Sequence, residues 1–367
     1  MLKPRVLIVD DSVVIRQFLC DALSRDPYLD IVESAPSTRV ALMKIAIARP
    51  DFVVLDLEMP EMHGLESVSA ILKASPQALV IVLNVPGERG AAVTFDALTL
   101  GARDYVTKPN RGVNLEAGLQ MLASELAAKI QACWPGNDRA TIRDEPILPR
   151  SRGLSNAPHW SSSDKRVDVL AIGVSTGGPN ALMEVIPRIP KDFPVPILIV
   201  QHMPRIFTKL LAERLAAKSQ ISVAEAISQQ RLLPGCAWIA PGDYHMTVLR
   251  NEDGIRIATH QGPPENSCRP AVDVLFRSLV QIYGSHVLAV VMTGMGKDGL
   301  QGCKQVHAAG GQVLVQDEKT SVVWGMPSFV AKAGLADCIL PLQELRTEIL
   351  NRVWRERSAE RALVGER

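Results

Sequence analysis

The sequence predicts an α/β protein of two successive domains. The first is a doubly wound, five-stranded N-terminal domain; the second is a C-terminal, mostly parallel α/β domain with an antiparallel edge. Three observations predict this. Short apolar, β-branched runs alternate with helical patterns through both halves of the chain. A stretch rich in Pro, Gly, Ser and mixed charge, without apolar periodicity, divides the halves. Polar residues capable of chemistry gather just after the apolar runs, where such sheets keep their sites.

In the first half, strands are expected at 6–9, 31–35, 52–55, 79–83 and 104–106, with helices at 13–24, 38–48, 65–74, 91–100 and 115–130. Asp10 and Asp11 follow the first strand and Asp56 the third. Carboxylates converging at one rim repel unless a divalent cation sits among them, and hard oxygen ligands suit Mg²⁺. Lys108, after the fifth strand, brings one positive charge to the same rim. A single Asp after a strand is commonly a helix cap. The Asp pair, Asp56 and Lys108 together at three strand ends are poorly explained as caps.

From Cys133 to Lys165 the pattern dissolves, so the expected domains are 1–132, a flexible linker at 133–164, 165–356, and a tail at 357–367. His159 and Trp160 in the linker are expected to be exposed. About 30 residues of flexible chain span roughly 30 Å, enough for the domains to dock or separate.

The second half opens on an apolar run at 167–172, followed by a turn holding Gly173, Ser175, Gly177 and Gly178 and a helical segment at 180–189. A serine at such a turn protrudes near backbone N–H groups, as a nucleophile must. Residues 173–177 also satisfy G-x-S-x-G, although a Gly-rich turn alone more often binds phosphate or simply turns the chain. Further strands are expected at 197–201, 287–292 and 312–316, with short ones at 236–240, 246–249 and 255–259 suggesting the antiparallel edge. Helices are expected at 206–218, 271–283, 300–308 and 342–355.

Ser175, His202 and Asp298 follow three core strands, so their side chains can meet on one crest. A serine hydroxyl needs an imidazole to take its proton, and the imidazole needs a carboxylate to fix its tautomer. The order Ser–His–Asp differs from that of α/β-hydrolases. Asp317, also after a core strand, competes with Asp298; the glycines of TGMGKDG favour Asp298, because they let N–H groups approach a reacting oxygen. His245, His260 and His286 fall at edge strands or off the crest and are expected to be structural or exposed.

Composition closes off other classes. Lys+Arg 40 balance Asp+Glu 39 across 367 residues, so nucleic acid is not an expected partner. Six scattered cysteines without a C-x-x-C pair argue against disulfides and zinc and for a reducing, cytoplasmic setting. No run suits a signal peptide or membrane insertion.

VLIVDDS, VVLDLEMPEMHGL and DYVTKP resemble a response-regulator receiver domain. The resemblance implies that Asp56 is the phospho-acceptor. Asp10, Asp11, Asp56 and the Glu58 carbonyl would hold Mg²⁺, and Lys108 would contact the phosphoryl group. Asn84 stands where the family has Ser or Thr; its amide can donate to the phosphoryl group, with altered switching expected. His63 stands where many relatives have Asp and is expected at the surface. Tyr105 matches an aromatic position that moves in many receivers.

GVSTGGP, QHMP, APGDYHM, NSCRPAVDVLFRSL, TGMGKDG and QDEKTSVVWGMP are similar to the bacterial chemotaxis protein-glutamate methylesterases over 168–340. That resemblance implies catalytic Ser175, His202 and Asp298, with Thr176 and the Met295 backbone supporting the triad and oxyanion. It implies hydrolysis of glutamate γ-methyl esters, and deamidation of glutamines, on chemoreceptor cytoplasmic helices. The esterase reaction needs no cofactor, and a sensor histidine kinase would supply the phosphoryl group. Binding to long receptor helices calls for a groove, with Arg269 or Met203 as candidates to line it. An adaptor without hydrolysis and a transcriptional regulator are the other classes; the intact triad opposes the first, and the lack of a basic helix-turn-helix opposes the second.

Overall fold

The computed structural model describes residues 3–60, 64–109, 115–134 and 166–364, with side chains as far as Arg355. His63, His159, Trp160 and nearly all of the expected linker lie outside the described residues.

The N-terminal domain alternates β1 (Arg5–Val9), α1 (Val13–Ser24), β2 (Asp30–Ala35), α2 (Thr38–Ala48), β3 (Phe52–Asp56), α3 (Gly64–Ala74), β4 (Leu79–Asn84), α4 (Glu88–Leu100), β5 (Asp104–Thr107) and α5 (Leu115–Cys133). Its strands pair in parallel in the order β2-β1-β3-β4-β5. Helices cover both faces of such a sheet, so β3 is apolar and buried along its length apart from the terminal Asp56, itself buried. Ser12 and Ser37 start α1 and α2 by accepting from the Ile15 and Val40 N–H groups. The strand order reverses between β1 and β3, which opens a crevice at Asp10 and Asp56.

The C-terminal domain runs β6 (Val169–Val174), α6 (Gly178–Val185), β7 (Ile197–Gln201), α7 (Arg205–Lys218), β8 (Ser222–Glu225), β9 (Cys236–Ile239), β10 (His245–Asn251), β11 (Gly254–His260), α8 (Val272–Tyr283), β12 (Val287–Val291), α9 (Leu300–Ala308), β13 (Gln312–Gln316), α10 (Met326–Lys332), β14 (Cys338–Leu340) and α11 (Leu342–Val364). Its main sheet is parallel in the order β14-β13-β12-β6-β7-β9-β8. The antiparallel element is the β10–β11 hairpin.

Three details differ from expectation. The 236–240 run joins the parallel sheet between β7 and β8 instead of the hairpin. Strands β8 and β14 and helix α10 were not expected; the two strands are short edges, and β14 buries little. The closing helix continues to Val364, through part of the expected tail.

The domains touch through α4 and α7. The Tyr105 and Phe207 rings stack 4.5 Å apart, and Phe95 packs on Phe207 at 5.9 Å. Around them Arg214 pairs with Asp96 at 2.7 Å and donates to the Ala92 carbonyl at 3.0 Å. Asn180 on α6 donates to the Leu98 carbonyl, and Arg103 to the Val322 carbonyl. Val323 is buried in the same apolar cluster as the α5 residues Leu119 and Leu122.

Candidate active site

Strands β6 and β7 run in register with Val174 beside Gln201, so Ser175 and His202 are the next residues on adjacent strands. The His202 N–H donates to the Val174 carbonyl at 3.2 Å. Ser175 is half-buried, its N–H bonded to the Thr293 carbonyl and its carbonyl accepting from the Gly178 N–H and the Gln201 amide. The turn requires glycine: Gly177 has φ +76°, and a Cβ on Gly294 would lie 2.8 Å from the Ser175 Cβ.

Asp298, beyond β12, is buried and lies 2.8 Å from His202 Nε2 through Oδ2. Its Oδ2 also accepts from the Val272 N–H, and its Oδ1 from the N–H groups of Asp273 and Gly299 and the Asn266 amide. These donors include the first amides of α8, whose N-terminus favours a negative charge. Burial alone would raise the Asp298 pKa, but His202 and these N–H groups hold it below the ordinary carboxylate value. Burial opposes charge on His202, yet the bond to Asp298, then the neighbouring Cys268, carry its pKa to about 9. Asp273 goes the other way. Burial, only partly offset by the Gly302 N–H, combines with the Asp298 charge to push it up to about 6.

Of the supporting residues, Thr176 is buried with its carbonyl accepting from Thr293 Oγ1 at 2.8 Å, and Met295 is 40% exposed between Gly294 and Gly296. The rival Asp317 is occupied elsewhere, accepting from the Thr320 N–H and hydroxyl in its own turn. His245 is buried, its Nδ1 accepting from the Ala271 N–H and its Nε2 donating to the Pro263 carbonyl. His286 pairs with Asp168 at 2.7 Å, and His260 accepts from the Gly262 N–H. Arg269 is bound to Asp243 at 2.5 Å, and Met203 is buried in the apolar core.

Sequence reasoning passed over Asn266, Cys268 and Asp273. Asn266 bridges Asp273 and Asp298 at 2.9 and 3.0 Å, and Cys268 Sγ lies 3.5 Å from His202 Nδ1. The signal was the pair Asn266-Ser267, whose left-handed φ of 51° and 62° folds the loop back onto the crest.

On the N-terminal rim, Lys108 Nζ lies 2.8 Å from Asp10 and 2.7 Å from Asp56, all three buried. One carboxylate oxygen from each of Asp10, Asp11 and Asp56 falls within 4.8 Å of the others, Asp11 being exposed. Burial, helped by Asp56 against Lys108, raises the Asp10 pKa; on Lys108 the two carboxylates outweigh burial and raise its pKa. Three carboxylates against one ammonium leave an excess of negative charge, so the donor set fits a hard divalent cation. The Asn84 amide is buried, with Nδ2 directed at the Val85 carbonyl at 3.4 Å and Oδ1 without a partner. The Glu58 N–H donates to Asp56 at 3.2 Å while its side chain is exposed.

Fold and rim together define the class: a response regulator whose output is an α/β domain with serine, histidine and aspartate on one crest. Residues 6–120 match the response regulator receiver domain family, and 170–349 match the CheB methylesterase family. A protein-glutamate methylesterase/protein-glutamine glutaminase of Trichodesmium erythraeum is 46% identical over 96% of this chain and the whole of that protein. One of a Nocardioides species is also 46% identical, over 96% of each. The crystal structure of the Thermotoga maritima CheB methylesterase catalytic domain, 41% identical, superposes with a TM-score of 0.50 over 50% of this chain and 98% of that one. The chain belongs to the protein-glutamate methylesterase/protein-glutamine glutaminase family. Among the described residues no helix is long and apolar enough to cross a membrane.

Proposed function

We propose that the chain is a phosphorylation-regulated protein-glutamate methylesterase and protein-glutamine glutaminase acting on chemoreceptor cytoplasmic helices, and that its activity serves sensory adaptation. The hydrogen bond from His202 Nε2 to Asp298, one residue beyond the strand pairing that sets His202 beside Ser175, carries this reading. Family membership supports the substrate class.

In the proposed mechanism Asp298 keeps the Nε2 proton, leaving Nδ1 as the base. Ser175 Oγ attacks the side-chain carbonyl while Nδ1 takes its proton. The tetrahedral oxyanion is met by backbone N–H groups near Thr176 and Met295. His202 then protonates the leaving methoxide, releasing methanol, or the leaving amine, releasing ammonia. Water, deprotonated by the same nitrogen, hydrolyses the γ-glutamyl ester of Ser175. No cofactor takes part in these steps.

Asp56 is the proposed phospho-acceptor, with a sensor histidine kinase as phosphodonor in the cytoplasm. Asp10, Asp11, Asp56 and the Glu58 carbonyl would hold Mg²⁺, which would neutralise phosphoryl charge when bound. Lys108 and Asn84 would contact the phosphoryl oxygens. We assign 1–132 to the receiver, 133–164 to a linker, 165–356 to the catalytic domain and 357–367 to a tail. Neither nucleic acid nor membrane insertion has a place in this reading.

The interface suggests how the halves communicate. The carbonyl of Val322 accepts from Arg103 of the receiver, and that of Val323 accepts from the Gly294 N–H beside Ser175. One short loop therefore reads the docked receiver and supports the crest. The test is methanol release from radiomethylated receptor membranes. The full-length protein should release it faster with a small phosphodonor and Mg²⁺, and Ser175→Ala should release none and deamidate none. Loss of only one of the two activities would break the shared site.

A further inference from the structure

The imidazole of His202 has two nitrogens, and only Nε2 is used by Asp298. A carboxylate can only accept, so Nε2 carries the hydrogen and Nδ1 is the nitrogen left to act as base. In this structure Nδ1 faces Cys268 Sγ at 3.5 Å, while the Ser175 hydroxyl makes no hydrogen bond among the described residues. The nitrogen that Ser175 needs is taken.

The thiol is not there by accident of an exposed loop. Glu265 and Cys268 exchange backbone hydrogen bonds at 3.1 and 2.9 Å, closing the turn through the left-handed Asn266 and Ser267. Arg277 on α8 grips both Glu265 carboxylate oxygens at 2.5 Å. Asn266, between them, is tied to Asp298 and Asp273. The loop that fixes the carboxylate side of His202 thus also fixes the thiol on its other side.

We infer that Cys268 is a positioning residue for the hydrolysis: its thiol holds Nδ1 of His202 in the resting enzyme and yields that nitrogen to the Ser175 hydroxyl when substrate binds. This rests on the reading of Ser175, His202 and Asp298 as the triad. The consequence is electrostatic as well as steric. His202 is faced by Asp298 from the β12–α9 loop and Cys268 from the loop before α8, with Asp273 and the Arg277-paired Glu265 behind them. Cys268 is the neighbour that acts on the base nitrogen: when the ring is protonated its Nδ1–H donates to Sγ, which favours the charged form and adds to the rise in the His202 pKa. Removing it makes His202 a base at lower pH.

The experiment is the pH profile of kcat/KM for methanol release, measured on the full-length protein with phosphodonor and Mg²⁺. Cys268→Ala should remain active, with its acid limb moved about one pH unit lower, the effect of one hydrogen bond to a charged group. Cys268→Ser, which keeps a partner for Nδ1, should shift less. Ring ¹⁵N shifts of His202 should show the same order without reference to turnover, and serve where the alanine variant folds poorly. A Cys268→Ala profile superimposed on that of the parent overturns the inference. So does a Cys268→Ala protein as dead as Ser175→Ala at every pH, since the thiol would then be essential to the chemistry itself and not a positioning residue. An active Ser175→Ala protein would instead sink the triad itself.

Discussion

Tyr105 of the receiver lies flat on Phe207 of the catalytic domain, ring centroids 4.5 Å apart and planes 12° from parallel. Tyr105 is 7% exposed, and Lys129 closes its other side 5.0 Å from the ring centre. The aromatic position that the resemblance to receivers singles out is therefore one half of the docking surface. Asp56 ends β3 and Tyr105 lies on β5, with only β4 between them, so the acidic rim and the contact with α7 belong to one small domain.

Phe207→Ala should loosen this docking. A stacked pair contributes about 0.5–1.5 kcal/mol beyond its burial, and about 1.4 kcal/mol shifts a docked–free equilibrium tenfold. Methanol release by the unphosphorylated protein should rise by up to about tenfold, and the added effect of phosphodonor should shrink. Unchanged basal release would mean that docking does not inhibit.

Arg214→Glu tests the polar border of the same surface. The change places a carboxylate against Asp96 and removes the donor to Ala92. Basal activity should rise, and rise less at high salt, where exposed charges are screened over roughly 8–10 Å or less. A variant whose activation is indifferent to salt would show that the pair is incidental.

Asp56 should be labelled by a small phosphodonor only with Mg²⁺ present, and Asp56→Asn or a chelator should abolish labelling. Asn84 ends β4 with an amide whose Oδ1 is buried and unpartnered. Such a group costs about 1–3 kcal/mol, so Asn84→Thr should be tolerated and should strengthen activation by phosphodonor. An Asn84→Thr protein activated no more than the parent removes Asn84 from the switch.

Much of this was legible because parallel strands write themselves as uninterrupted apolar runs, and chemistry follows at their ends. Asp10, Asp56, Lys108, Ser175, His202 and Asp298 were all found that way. What escaped has a common physical cause. The 236–239 strand is apolar and short, and nothing in such a run says which neighbour it pairs with; β7 decided it. Asn266, Cys268 and Asp273 reach the crest from a loop and a helix start, so no strand-end rule points to them. The motif NSCRPAVDVLFRSL contained all three, but only tertiary geometry shows that Cys268 meets the His202 ring while Asn266 and Asp273 gather on Asp298.

The His202–Asp298 pair should set activity and stability against each other as pH rises. The folded pKa of His202 is about 9, above its ordinary 6.5. Its stabilising contribution is therefore fully present below about 6.5 and is lost as pH climbs through about 9. The neutral ring needed to take the serine proton appears over that same window, so kcat/KM should rise from neutral pH to above 9 while the contribution to stability falls. His202→Gln separates the two effects: the thermal midpoint of the parent catalytic domain should exceed that of the variant most at pH 6, and the gap should narrow by pH 10. Asp298→Asn should lower kcat on the order of 10³–10⁴-fold, by losing the group that fixes the tautomer, and should bring its acid limb to lower pH. A midpoint gap that is constant from pH 6 to 10 would show that folding does not raise the His202 pKa, and would leave the alkaline rise in activity without its cause.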